Sequence, residues 1–124
     1  MTWQIDYNAD QDAGTIRYNK PDGGVGPELN IQFQHGPIKE NGINGVQNEQ
    51  ILELLEQRLR ALDLRFPCEE NKWAIASVNT ALKWLQRRTR LRVEQGVEGL
   101  NRPHSSSEVL LNGDGTEKAD VITG

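Results

Sequence analysis

The sequence predicts an α+β protein: a small N-terminal antiparallel sheet of about three strands packed on a long antiparallel two-helix hairpin, assembled as a homo-oligomer. Three observations predict it. Residues 2–34 alternate apolar and polar with a period of two, residues from about 47 onward switch to helical spacing, and the apolar surface of the second helix is too wide for one partner.

Trp3, Ile5 and Tyr7 share one face of the first strand, Ile16 and Tyr18 of the second, and Leu29, Ile31 and Phe33 of the third. Alternating aromatic and β-branched residues mark half-buried strands. Asn8-Ala9-Asp10 to Gly14 and Pro21-Asp22-Gly23-Gly24 supply the turns, which gives a meander over residues 1–35. A loop at 36–46 follows, with Gly36, Pro37, Gly42, Asn44 and Gly45. Such glycines specify a particular backbone path, serving either a close ligand or an ordinary strand-to-helix connection.

The helical hairpin is expected over 47–99. Ile51, Leu55, Leu59 and Leu62 form the stripe of its first helix, widened by Leu52 and Leu54, with Asn44 or Asn48 available as N-cap. Leu64-Arg65-Phe66-Pro67 is the short connection, because proline disfavours helix in the residue before it. The second helix starts near Cys68 to Glu70, with its acidic residues toward the positive end of the dipole, and runs to about Gln95. On a helical wheel Asn71, Ile75, Leu82, Leu85, Thr89 and Arg92 lie within about 60° of Val78 and form its inward seam. Trp73, Ser77, Trp84, Arg88 and Leu91 form a second arc, which predicts self-association. Residues 1–100 thus make one domain. Residues 101–124, polar and rich in Pro, Gly and Ser, read as a flexible tail.

Composition excludes several classes. The net charge of −4 disfavours a general nucleic-acid binder. One cysteine, Cys68, allows no intrachain disulfide, and a half-buried structural role suits it. The N-terminus lacks the pattern of a signal peptide, and no apolar run has the length of a membrane helix, so an intracellular protein is expected. His35 and His104 are far apart in sequence, the serines at 105–107 lack an elbow motif, and no phosphate-loop pattern joins a strand to a helix. Neither an enzyme, a metal site nor a cofactor is expected.

The chemical resource that remains is the run Arg87, Arg88, Arg90 and Arg92. Guanidinium groups form bidentate bonds to phosphate and stack on aromatic rings. Arg88 borders the tryptophan arc and Arg92 continues the seam from Asn71, whereas Arg87 and Arg90 face elsewhere. The alternatives are a nucleic-acid-binding protein and a structural interaction hairpin, both using the Arg87–Arg92 cluster.

The segments GPIKENGINGVQNEQILELLEQRLRAL and FPCEENKWAIASVNTALKWLQRRTRLRVEQGVEG resemble the phage-encoded Thoeris anti-defence protein 1 family, whose hairpin is related to that of anti-CBASS protein 2. The resemblance covers about residues 30–100 and rests on the NG before the first helix, C-x-E-N, A-L-x-W-L, R-T and V-E-G. It implies a sponge: a homo-oligomer, dimeric or an assembly of dimers up to a hexamer, acting in the host bacterial cytoplasm. Such a sponge binds 1″-3′ glyco-cyclic ADP-ribose made by bacterial TIR-domain proteins, without cleaving it. Some members also hold cyclic oligonucleotides at separate sites. The resemblance assigns ligand contacts to Asn71 of C-x-E-N and Arg88 of R-T. Arg92 joins them from the seam and Lys39 from the loop as a contact for phosphate or ribose. Leu62 stands where the family tends to place an aromatic, which leaves an apolar contact in place of base stacking.

Overall fold

A computed structural model describes residues 2–96 and His104; the assignment of a tail to 101–124 otherwise lies outside the described residues. The chain divides into two compact units, one spanning Met1–Gln47 and one beginning at Asn48.

The first unit is a three-stranded antiparallel meander in the order β1 (Thr2–Asn8), β2 (Ala13–Asn19), β3 (Val25–Gln32). Its register aligns the apolar positions: Trp3 opposite Tyr18, Ile5 opposite Ile16, and Ile16 opposite Leu29. The other face is polar and cross-linked, with Arg17 bonded to Glu28 at 2.7 Å and Thr15 to Asn30 at 3.0 Å. The third strand begins earlier than its apolar alternation indicates and includes Pro27. Proline is tolerated because β3 is an edge of the sheet. Gly26 is required there, since a Cβ would collide with the Tyr18 carbonyl beside a register shift between Arg17 and Asn19.

The two turns use their own side chains. Asn8 Oδ1 accepts from the backbone N–H of Asp10 and Gln11, and Asp22 Oδ1 accepts from Gly24 N–H at 2.8 Å. The following segment contains a short helix, α1 (Ile38–Asn41), within what the sequence indicated as loop. Pro37 presets its entry and Gly42, at φ 71°, ends it. The chain then returns to the sheet, where Val46 forms a parallel bridge with Phe33.

The second unit is a helical hairpin of α2 (Asn48–Arg65) and α3 (Glu69–Glu94). Asp63 pairs with Lys72 at 3.1 Å and Glu56 with Asn79 at 2.8 Å, a falling-against-rising register that makes the helices antiparallel. Along α3 the seam centred on Val78 is the inward face: Ile75 and Leu82 are buried, and Asn71, Val78, Leu85 and Thr89 are half-buried. Along α2, Ile51, Leu52, Leu59 and Leu62 are half-buried, whereas Leu54 and Leu55 stay exposed. α3 ends at Glu94, within a residue of the end near Gln95 that the sequence indicates, and Gly96 adopts φ 70° just beyond it.

Candidate functional site

Cys68 precedes α3 in extended conformation and its sulfur accepts the Asn71 backbone N–H at 3.4 Å. The thiol is exposed rather than half-buried, because capping the helix holds it at the turn outside the seam. Asn71 itself closes the same turn: its side-chain Nδ2 donates to the Phe66 carbonyl at 3.1 Å. Asp63 adds a third fastening by accepting from Cys68 N–H and from Lys72. The Lys72 hydrogen bond holds the Asp63 carboxyl below the usual carboxylate range, with the Cys68 N–H contributing less.

The arginines separate by environment. Arg92 is buried, 7% exposed, where the seam reaches the end of α3. Arg87 is half-buried. Arg90 is exposed and lies 3.9 Å from Glu94 one turn on. Arg88 is exposed and has no hydrogen-bond or ion-pair partner among the described residues. It sits four residues beyond Trp84, a spacing that places the two side chains side by side on the helix surface. Trp84 and Trp73 are 47% and 69% exposed, so the second arc presents aromatic surface ending in a guanidinium.

Of the sequence-derived site residues, Leu62 and Asn71 share the turn end of the hairpin, both half-buried. Arg88 and Arg92 occupy the opposite end of α3. Asn71 and Arg88 lie on one continuous helix, about 25 Å apart at 1.5 Å per residue. One hairpin does not bring them to one small ligand. Lys39 belongs to α1 in the first unit and is exposed.

The loop glycines serve the chain's own backbone. Gly45 packs against the Phe33 carbonyl so closely that a Cβ would collide with it. Asn44, considered above as a helix cap, binds both backbone groups of His35 at 2.8 Å instead. His35 was set aside above because His104, the other histidine, is far from it in sequence. The structure gives it a different partner: Nδ1 lies 2.9 Å from Asp12 Oδ2, and Tyr7 Oη donates to Asp12 Oδ1 at 2.8 Å. Those bonds, His35's first and Tyr7's second, lower the Asp12 carboxyl pKa, and the same contact raises the Tyr7 phenol pKa. Asp12 holds φ 52° in the turn before β2, a conformation no spacing rule announces.

Comparison with known proteins gives two findings. The family described as Acb2/Tad1, hairpin domain, matches residues 26–90, more than half of the chain. A protein named Thoeris anti-defense 1, from Bacillus phage SBSphiJ7, is 41% identical over 76 residues, covering 60% of this chain and 54% of that one. The match therefore spans about half the length of that relative.

Proposed function

Because the chain belongs to the Acb2/Tad1 hairpin-domain family, we propose that it is a phage anti-defence protein that sequesters a cyclic ADP-ribose-type signalling nucleotide without cleaving it. The ligand assigned is 1″-3′ glyco-cyclic ADP-ribose, met in the host bacterial cytoplasm, with cyclic oligonucleotides as candidates for a second site. The relative's name supports the anti-defence role. Arg88 carries the site: an exposed guanidinium without a partner among the described residues, next to an exposed tryptophan. A diphosphate suits its paired N–H donors, and an adenine suits the neighbouring aromatic surface.

The Asn71-to-Arg88 separation of about 25 Å supports a pocket built between subunits, where the turn end of one hairpin meets the arginine end of another. Leu62 would then give the pocket its apolar wall, Arg92 would hold Arg88's end of the helix, and Lys39 would add a cation at the rim. Self-association, as a dimer or an assembly of dimers, is part of the proposal. Two preorganised subunits reach nanomolar affinity, about −12 kcal/mol, more readily than one flexible surface.

The test is capture and release. Purified protein is mixed with the nucleotide, free ligand is measured, and the mixture is then heated to denature the protein. Depletion followed by return of the unchanged nucleotide supports sequestration; no depletion, or a chemically altered product, refutes it.

A further inference from the structure

A cavity at one end of the sheet carries chemistry that the hairpin does not use. It measures about 380 Å³ and is lined by Asp10, Gln11, Gln32, His35 and Asn44, all within the first unit. All five lining residues are exposed, so the site is an open recess on the surface. Its walls are fixed without a ligand. Gln32 Nε2 donates to the carbonyls of Gln11 and Phe33, both at 2.9 Å, tying the first turn to the end of β3. Asn44 clamps the His35 backbone, and Asp12, itself held by Tyr7, clamps the imidazole.

The polar atoms left over determine what the cavity takes. The Gln32 amide N–H groups are used on the Gln11 and Phe33 carbonyls, and Asn44 gives one N–H to the His35 carbonyl. The Asp10 carboxylate, Gln32 Oε1 and His35 Nε2 have no hydrogen-bond partner among the described residues. The contact with Asp12 uses His35 Nδ1 and leaves Nε2 as the ring's other polar atom. This surface is negative, with Asp10 in the wall and Asp12 in contact with the ring. A phosphate would meet like charge here. No group of three or more His, Cys, Asp or Glu among the described residues could hold a metal ion. A ligand that brings both positive charge and N–H donors satisfies the site.

We propose that this cavity binds an aliphatic organic cation of the polyamine class, with one ammonium group on Asp10 and Gln32 Oε1. The proposal is independent of the nucleotide reading.

The chain has two histidines, so His104→Gln leaves the ring signals of His35 alone in the NMR spectrum. Titrating 1,4-diaminobutane into this full-length variant should move the His35 signals saturably, while 1,4-butanediol, its uncharged counterpart, should not. Asp10→Asn should weaken the diamine by roughly tenfold or more, the loss of one charge-assisted bond. Gln11→Glu, which adds a carboxylate to the wall, should tighten it. Absence of a saturable shift, equal binding of the diol, or indifference to both substitutions overturns the proposal. Nucleotide capture is measured on the same samples: capture lost with diamine binding retained counts against the nucleotide reading alone.

Discussion

Arg88 and its neighbours show how much the environment of a single side chain changes the meaning of a charge run. Within six residues of α3 one guanidinium is buried, one is half-buried, one lies near a carboxylate on the next turn, and one is exposed without a partner among the described residues. Arg88→Ala is therefore expected to abolish nucleotide capture while leaving helicity and oligomeric mass unchanged, read by ligand depletion and light scattering. Arg90→Ala should leave capture within about twofold, because its surface pair with Glu94 contributes little. If Arg88→Ala instead dissolves the oligomer, the arginine is a structural bridge. Leu82, buried on the seam, sets the opposite expectation: Leu82→Ala should destabilise the hairpin by roughly 2–5 kcal/mol, measured by urea unfolding.

At the scale of elements, the hairpin turn is fastened by several side-chain bonds. Asp63 receives Lys72 and Cys68 N–H, Cys68 caps α3, and Asn71 bonds back to Phe66. Because the folded Asp63 carboxyl lies below its ordinary pKa, the folded state binds fewer protons than the unfolded state between those two values. Its stabilisation is present above the ordinary carboxylate range and is lost as pH falls through the lowered folded value. Asp63→Asn should lower the Tm at neutral pH by a few degrees and flatten this part of the acid-side decline, measured by circular dichroism. Asp12, lowered chiefly by its bond from His35, gives the first unit a dependence of the same sign. The strands and helices themselves were legible because each has its own period. The short helix Ile38–Asn41 was not, since four residues around a Pro37 entry and a Gly42 exit carry no periodic signal.

For the whole molecule, the decisive quantity is how little apolar surface is buried. Among the described residues only Ile75 and Leu82 are buried apolar side chains, while Trp3, Ile5, Tyr7, Leu29, Trp73 and Trp84 remain exposed. Surface of this kind usually meets a partner. Sedimentation velocity is expected to give a multiple of the 14.0 kDa chain, and Trp73→Glu with Trp84→Glu should shift it to smaller species. A monomer at micromolar concentration would remove the inter-subunit pocket from the proposed function.

The sequence by itself determined the α+β class, the three strands, the hairpin and the face that α3 turns inward. Periodicity is local information, so spacing alone carried Val78, Ile75 and Leu82 to the seam. It also isolated Arg88 from Arg92, one on the tryptophan arc and one on the seam. Tertiary structure decided which groups meet across turns and registers. The Tyr7–Asp12–His35 chain depends on a strand register and a left-handed Asp12, and the bond from Asn71 to Phe66 depends on the angle of the turn. Gly45 shows the division most plainly. Its presence fitted either a close ligand or an ordinary connection, and only the folded backbone identified the Phe33 carbonyl as what approaches, because contacts between distant segments leave no period in the chain.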